Sequence, residues 1–515
     1  MTRSVSEIAA GLEPSRGGVA LLPGARLHII GIGGTAALAA ALHAKALGLS
    51  VSGYDQALAG ESATILSRAG IPVGSAASQE VLRSCAALNA ESTVAISKAI
   101  TSTQPNHPEV LLAREAGATT VSVQQVIADA AATRGGLMIG VAGTHGKTTS
   151  TGWVLDALVR SGIDLSAFVG GPLDPGLGTP AGAPVHIGTV PGFVVEADEY
   201  GGNFDAYDVD RALILNVDWD HPDIFADRQA AVDTFARWAV YPATHGSLFI
   251  NSGDQGGSEL AALLANGGHR NIYTFATSTT PGAETADIVA TVTSRGAGSF
   301  SITISHLSDR AASAAPALRD LLNRELPIGL LGAHNASNGL GVAALVASAG
   351  GNAVAIAASL ASFGGVGRRM EVRFDRESIT VLDDYGHHPT AIDATMETVR
   401  QRYPGRTLIL AIEPLTYHRT AALLEGLATS CSAADRVVVA EIFAVRDLDT
   451  TIVSAADLAK RISAMGTPAT APGTVLETAA ALLPTITPET VVLVMGGGRS
   501  TELAMALARG LATAP

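Results

Sequence analysis

The 515 residues include 56 glycines, 23 prolines and 47% hydrophobic side chains, which excludes disordered and fibrous classes and fits an Ala/Gly-rich α/β chain of two to four domains, three being expected. A formal net charge of -14 excludes a broad nucleic-acid footprint, although a local basic pocket for phosphates stays open. No stretch offers 18 apolar residues free of charge and turn punctuation, and "MTRSVSEIAAGLEPSRGG" lacks the apolar core of an export signal, so a soluble cytoplasmic protein with no membrane partner is expected.

The first segment opens with "ARLHIIGIGGTAALAAALHAKALGLSVSGYD", residues 25–55. An apolar strand at Leu27–Ile30, a glycine turn, an alanine-rich helix and a second strand at Val51–Tyr54 make a β-α-β unit. Gly31, Gly33 and Ala36 match G-x-G-x-x-[GA], and Asp55 falls where an acidic residue meets a ribose. Two ligands suit such a turn: a nucleotide diphosphate lying on the helix N-terminus, or a nicotinamide dinucleotide. Simple tight packing of strand on helix is the bland alternative. Cys85 and Cys431 match no metal spacing and are expected as reduced thiols.

A second segment starts near Leu137 with "LMIGVAGTHGKTTSTGWVLDALVRSG", a buried strand, a glycine loop and a helix with Val154, Leu155, Leu158 and Val159 on one face. The usual phosphate loop, G-x-x-x-x-G-K-[ST], places a glycine six residues before its lysine; here Val141 holds that position and Gly140 lies one place early. Gly143, Gly146, Lys147, Thr148 and Thr149 still meet the needs of a triphosphate, namely inward amides, a cation for the outer phosphates and a hydroxyl for magnesium. Two further strands, in "PGFVVEADEY" and "RALILNVDWDHPDIF", end in acidic clusters that a parallel sheet would bring to this loop. Residues 287–305 alternate about a Gly-Ala-Gly turn and read as an inserted hairpin.

A third segment follows "FGGVGRRMEV", with strands in "ITVLDDY", "TLILAIE", "RVVVAEIF" and "VVLVMGGG" separated by helical stretches. It reads as another alternating α/β domain.

The loop variant G-T-x-G-K-T-[TS] resembles the ATP loop of the Mur ligase family. "GVAGTHGKTT", "VVEADEY", "LNVDWDH", "GAHNASN", "GVGRRMEV" and "LDDYGHHPTAI" occur in the order seen in the L-alanine-adding branch of that family. The resemblance implies three α/β domains: a Rossmann-like UDP-sugar domain over 1–134, a central P-loop ATPase domain over 135–364, and a Rossmann-like domain over 365–515 that closes on ATP and the amino acid. It implies ATP and Mg2+ as cofactors, UDP-N-acetylmuramic acid and L-alanine as substrates, and an amide formed through an acyl phosphate in peptidoglycan synthesis.

On the same resemblance, Gly31, Gly33, Gly34 and Asp55 face the UDP-sugar, and Gly143, Thr144, His145, Gly146, Lys147, Thr148 and Thr149 hold the nucleotide phosphates. Lys147 takes the outer phosphates, Thr148, Glu196 and His221 take the metal, and Glu199 supports them through water. Asn335 and Asn338 read adenine, Arg369 reaches the γ-phosphate across the domain boundary, and Asp384 touches the ribose. Tyr385 and His387 line the amino-acid pocket, and Arg419 anchors the amino-acid carboxylate. Arg368 is left as surface charge.

Two departures bear on the acceptor. "EPLTYHRT" keeps Pro414 and Arg419 but has Leu415 where the alanine-adding branch has histidine. "EADEY" and "LNVDWDHPDIF" look closer to the branch that attaches a recycled tripeptide to the same sugar, and "SKAITSTQPNHP", residues 97–108, resembles the "S-x-A-I" strand end of the first domain except for an unusual Lys98 and extra residues. A recycled tripeptide as second substrate therefore stays open, as does a catalytically reduced homologue that binds only the nucleotide sugar.

Overall fold

The computed structural model describes residues 2–58, 60–74, 88–174, 176–177, 182–376, 378–444, 447 and 449–513. Cys85 lies outside them; Cys431 is fully buried, which pushes its thiol up to about 12 and leaves it inert.

Three sheets organise the described chain. The first has five parallel strands in the spatial order Val73–Gly74, Ser50–Tyr54, Arg26–Ile30, Thr93–Ile96, Thr119–Ser122. Such parallel strands need long crossovers, supplied here by helices such as Thr35–Ala46, in which Ala37, Ala39, Ala40, Ala41 and Ala44 are buried almost completely.

The central sheet has ten strands and places Leu137–Ala142 between Arg211–Ile214 and Gly192–Ala197, all parallel. Their near-continuous apolar runs fit strands covered on both faces. The Ile288–Gly296 and Ser299–Leu307 hairpin does not stand apart as an insertion: its first strand pairs with Ile272–Thr277 and its second with Glu325–Ile328, so it extends this sheet. The helix Lys147–Arg160 buries Trp153, Val154, Leu155 and Leu158 completely, whereas Val159 is only half-buried at the edge of that face. Trp153 satisfies its indole N–H on the Ser359 carbonyl at 3.1 Å.

The third sheet has the order Glu371–Arg376, Ile379–Asp384, Thr490–Gly496, Thr407–Glu413, Arg436–Ala440, Ala469–Gly473, parallel except for its first strand.

Buried polar contacts fix the first sheet unit against the second. His43 gives its Nε2 proton to the Ala167 carbonyl at 3.0 Å, and Lys98 donates to the Gly201 carbonyl at 2.7 Å. Arg3, in the N-terminal segment, bridges both units through its amide to Asp223 O at 2.7 Å and its guanidinium to Ser102 O at 2.8 Å. No helix among the described residues is long and apolar enough to cross a membrane.

Candidate active site

The site grows from three neighbouring strand ends in the central sheet. Ala142 leads into the glycine loop, Ala197 into Asp198 and Glu199, and Ile214 into Asn216, Asp218 and His221. Gly143 (φ 142°) and Gly146 (φ 81°) take conformations that side chains rarely adopt, and at Gly143 a Cβ would also meet the Asn216 carbonyl at 3.2 Å. Asn216 clamps the loop from beneath: its Oδ1 accepts the His145 amide at 2.7 Å and its Nδ2 donates to the His145 carbonyl at 3.0 Å.

Lys147 folds back over the loop it starts from. Its ammonium donates to the Gly143 carbonyl at 2.7 Å and to Glu199 at 2.8 Å, with Asp198 3.6 Å away. Burial works against its charge, but the Glu199 and Asp198 carboxylates outweigh it and hold the pKa above the ordinary lysine value. Burial likewise pushes Glu199 up to about 7 against the pull of Lys147. An outer phosphate would replace these carboxylates as the anionic partner of Lys147.

Glu196 is held at both oxygens, one accepting the Thr148 hydroxyl at 3.0 Å and the other the Gly170 amide at 2.6 Å. His221 has φ 55°, its amide donates to Asp220 at 2.6 Å, and its ring meets Tyr200 edge-on at 4.9 Å between centroids. Thr148, Glu196 and His221 all line one cleft. The Thr148 hydroxyl and Glu196 carboxylate are the oxygen donors Mg2+ prefers, and His221 adds one nitrogen beside them, so the oxygen pair is what fits Mg2+.

That cleft, about 710 Å³, gathers residues from all three sheet units: Gly34 and Lys98 from the first, Lys147, Glu196 and His221 from the second, His387 and Arg419 from the third. A neighbouring cleft of about 690 Å³ is lined by Thr149, Asn335, Asn338, Asp384 and Arg402. His145, Gly146 and Arg369 border both clefts, which puts the glycine loop at the waist between them.

The expected residues divide into those that face a cleft and those that shape it. Of Gly31, Gly33, Gly34 and Asp55, the residues expected at the sugar in the first unit, only Gly34 lines the cleft. Asp55 closes the glycine turn on itself, accepting the Gly33 amide at 2.8 Å and the Ala57 amide at 3.0 Å. Gly31 adopts φ 80° and donates its amide to the Tyr54 carbonyl at 2.8 Å. Asp384 borders the second cleft, yet its oxygens accept the Met370 amide at 2.9 Å and the Gly386 amide at 2.7 Å. Asn335 donates to the Leu331 carbonyl at 2.8 Å, and Asn338 donates to Asn335 Oδ1 at 3.3 Å.

Tyr385 sits under two guanidinium groups, Arg368 at 4.9 Å and Arg369 at 5.1 Å from its ring centre. Arg368 is not the free surface charge its position suggests: it is half-buried and donates to the Gly496 carbonyl and the Ser500 hydroxyl, each at 3.0 Å. His387 donates Nδ1–H to the Tyr385 carbonyl at 2.8 Å, and burial followed by the nearby Arg419 charge pulls its pKa well below the ordinary histidine value. Arg419 places Nη2 against Asp220 and leaves Nε and Nη1 buried with no hydrogen-bond partner.

Sequence reasoning passed over Asp220, Gly170, Asp218 and His388, all now at the site. Asp220 and Asp218 could have been found in "DWDH", whose two carboxylates immediately precede the proposed metal residue His221. Gly170 carries no local signal, because its significance lies in a contact with Glu196 across the sheet.

Residues 26–134 match the Mur ligase family catalytic domain, 141–346 the Mur ligase middle domain, and 368–498 the Mur ligase glutamate ligase domain. Among curated proteins, the UDP-N-acetylmuramate–L-alanine ligase of Desulfitobacterium hafniense strain Y51 is 31% identical over 475 residues, covering 92% of this chain and 97% of that one. The same enzyme of Frankia casuarinae is 30% identical, covering 85% and 86%. The solved UDP-N-acetylmuramate-alanine ligase of Thermotoga maritima superimposes with TM-score 0.74 at 21% identity, covering 95% and 99%. A murein peptide ligase from Psychrobacter arcticus does so with TM-score 0.69 at 23% identity, covering 96% and 100%, so these two structures establish the shared fold. With three matching domains in order and a relative that similar along nearly its whole length, the chain belongs to the Mur ligase family.

Proposed function

We propose that the protein is an ATP-dependent amide ligase that joins L-alanine to the carboxylate of UDP-N-acetylmuramic acid through an acyl phosphate, in peptidoglycan synthesis in the cytoplasm. The observation that carries this reading is Arg419, buried in a cleft shared by all three domains with two N–H groups unpaired. An amino-acid carboxylate beside Asp220 would give the unpaired Nη1 a charge-assisted bond, which a buried guanidinium otherwise lacks there. The names of the curated relatives point to the same pair of substrates.

In this reading the adenosine lies in the cleft with Asn335 and Asn338, the phosphates on the loop amides of residues 143–149, and the UDP-sugar on the far side, beside Gly34. Lys147 exchanges Glu199 for the outer phosphates. Thr148, Glu196 and His221 would hold Mg2+, which when bound would supply charge compensation between two anions. Arg369, bordering both clefts, supports the transferred phosphoryl group. His387, neutral and with Nδ1–H committed to Tyr385, presents Nε2 as an acceptor for the incoming amine.

Closure by the third domain removes water from the acyl phosphate, which would otherwise hydrolyse. A complete set of loop lysine, carboxylate, imidazole and carboxylate anchor argues against a homologue that only binds the sugar. The nicotinamide reading loses its basis as well, since the Asp55 carboxylate accepts two backbone amides beside the turn.

Leu415 supports a second acceptor. It lines the cleft with His387 and Gly497, giving an apolar wall where the alanine-adding branch has histidine, and such a wall could admit a recycled tripeptide. Phosphate release measured with ATP, UDP-N-acetylmuramic acid and either L-alanine or L-alanyl-γ-D-glutamyl-meso-diaminopimelate tests both. The reading expects L-alanine to win when both compete for a limiting pool of the sugar. A product carrying mostly tripeptide overturns it, and no phosphate release with any acceptor removes the ligase reading itself.

A further inference from the structure

Where the third domain meets the glycine loop, two imidazoles face one carboxylate. His145 Nε2 lies 3.5 Å from Asp218 Oδ2, and His388 Nδ1 lies 4.0 Å from the same oxygen. The two rings are 4.7 Å apart, and one ligand atom from each of the three residues falls within 4.8 Å of the others. We propose that His145, Asp218 and His388 form a second cation site, separate from Thr148, Glu196 and His221, which takes a borderline divalent ion of the zinc class and staples the third domain to the nucleotide loop.

The donor set and its support carry the assignment. Two nitrogens and one carboxylate oxygen suit zinc-class ions, whereas Mg2+ prefers an oxygen shell. Bonds of about 2.0–2.1 Å in a tetrahedron set ligand atoms roughly 3.3 Å apart, so shifts of an ångström or less, on the order of ordinary side-chain adjustment, would complete it. Each ligand is already held by its other groups. The Asn216 clamp fixes the backbone of His145. Asp218 Oδ1 accepts the Trp219 amide at 2.8 Å, leaving Oδ2 toward the imidazoles with the Thr390 hydroxyl at 2.8 Å.

His388 donates Nε2–H to the Trp219 carbonyl at 3.2 Å, the outer contact that usually orients a metal-binding imidazole. That bond leaves Nδ1 as the acceptor on the site side, where it takes the Thr390 amide at 3.3 Å as a long helix-capping bond that an ion would replace. His145 Nε2 is buried and makes no hydrogen bond. Protonation suits a cation as well. Burial opposes charge on Asp218, but the His145 imidazole and the Thr390 hydroxyl outweigh it and hold the carboxyl down to about 2. Burial pulls His388 down to about 4 and keeps it neutral.

The site has a mechanical consequence. His145 belongs to the nucleotide loop and His388 caps the helix Pro389–Arg402 of the third domain, so an ion between them would hold the two domains in this arrangement.

The test titrates Co2+, a visible-absorbing stand-in for zinc, into the full-length metal-free protein with Mg2+ in excess. Near-stoichiometric binding with a tetrahedral absorption band is expected. Asp218→Asn, His388→Gln and His145→Gln should each lose the band and weaken binding at least tenfold, while the double variant Glu196→Gln/His221→Gln keeps both. Zinc should also slow hydrogen exchange at residues 386–391 in the parent protein and not in the first three variants. Circular dichroism checks folding, and the two histidine variants, one on each domain, serve if Asp218→Asn fails to fold. A band that survives in the His145 and His388 variants, a band lost with Glu196 and His221, or only weak binding equal in all proteins overturns the proposal.

Discussion

Arg419 of the third domain sets its Nη2 2.5 Å from Oδ2 of Asp220 in the second, and both side chains are buried. Burial raises the cost of charging Asp220, yet His221 and Arg419 outweigh it and keep its carboxyl well below the usual range. The pair therefore aims the guanidinium while leaving Nε and Nη1 unpaired. Arg419→Lys keeps the charge but loses the fork, so KM for the amino acid should rise about 10- to 100-fold with KM for ATP little changed. Steady-state phosphate release with each substrate varied in turn reads this split; equal effects on both KM values would contradict the anchor.

Lys147→Ala should abolish turnover and spare sugar binding. The lysine contacts the Gly143 carbonyl and Glu199, all within the central domain, while the helix Thr35–Ala46 beside the sugar end of the cleft belongs to the first. Calorimetry with UDP-N-acetylmuramic acid checks it: a loss of affinity beyond tenfold, about 1.4 kcal/mol, would count against the assignment of separate domains to the two ligands.

Much of this arrangement could be read from the chain because it is local. Glycine turns, strand ends and the order of motifs reside in runs of ten or so residues, and Lys147, Thr148 and Glu196 follow from them. Contacts made across domains were not legible. Asp220 and Arg419 are 199 residues apart along the chain, and their hydrogen bond depends on how the third domain docks. Asp55 shows the opposite failure, since its spacing suggests a ribose contact while its carboxylate accepts two nearby amides. The hairpin at 288–307 looked like an insertion for a related reason: alternation reveals a strand pair but not the sheet edge it joins.

Glu196 can be tested directly and through its neighbour. Glu196→Gln removes the charge and should lower kcat on the order of 100-fold or more, as expected for loss of a preorganised electrostatic group. At Gly170 an added Cβ would stand 2.5 Å from both Glu196 oxygens. Gly170→Ala should therefore displace the carboxylate, lowering kcat and raising the Mg2+ concentration needed for half-maximal rate, with UDP-sugar affinity intact. Parent-like magnesium dependence in both variants would remove Glu196 from the metal set.

His43 gives the contact between the first two domains a pH dependence. Its ring is fully buried, donates Nε2–H to the Ala167 carbonyl, packs 4.8 Å from Phe193, and leaves Nδ1 without a partner. Burial is the main reason its pKa falls to about 4 from an ordinary value of 6.5. Protonation therefore favours the unfolded chain: the stability contributed by neutral His43 is complete above pH 6.5 and is lost as pH falls toward 4. The difference of about 2.5 pH units corresponds to roughly 3 kcal/mol. His43→Gln keeps a donor for Ala167 but cannot titrate, so its urea midpoint should fall less than that of the parent between pH 7 and pH 4.5. Equal losses in the two proteins would mean that other groups, such as the buried His388, carry the acid sensitivity, and that the interface between the first and second domains tolerates a charged imidazole.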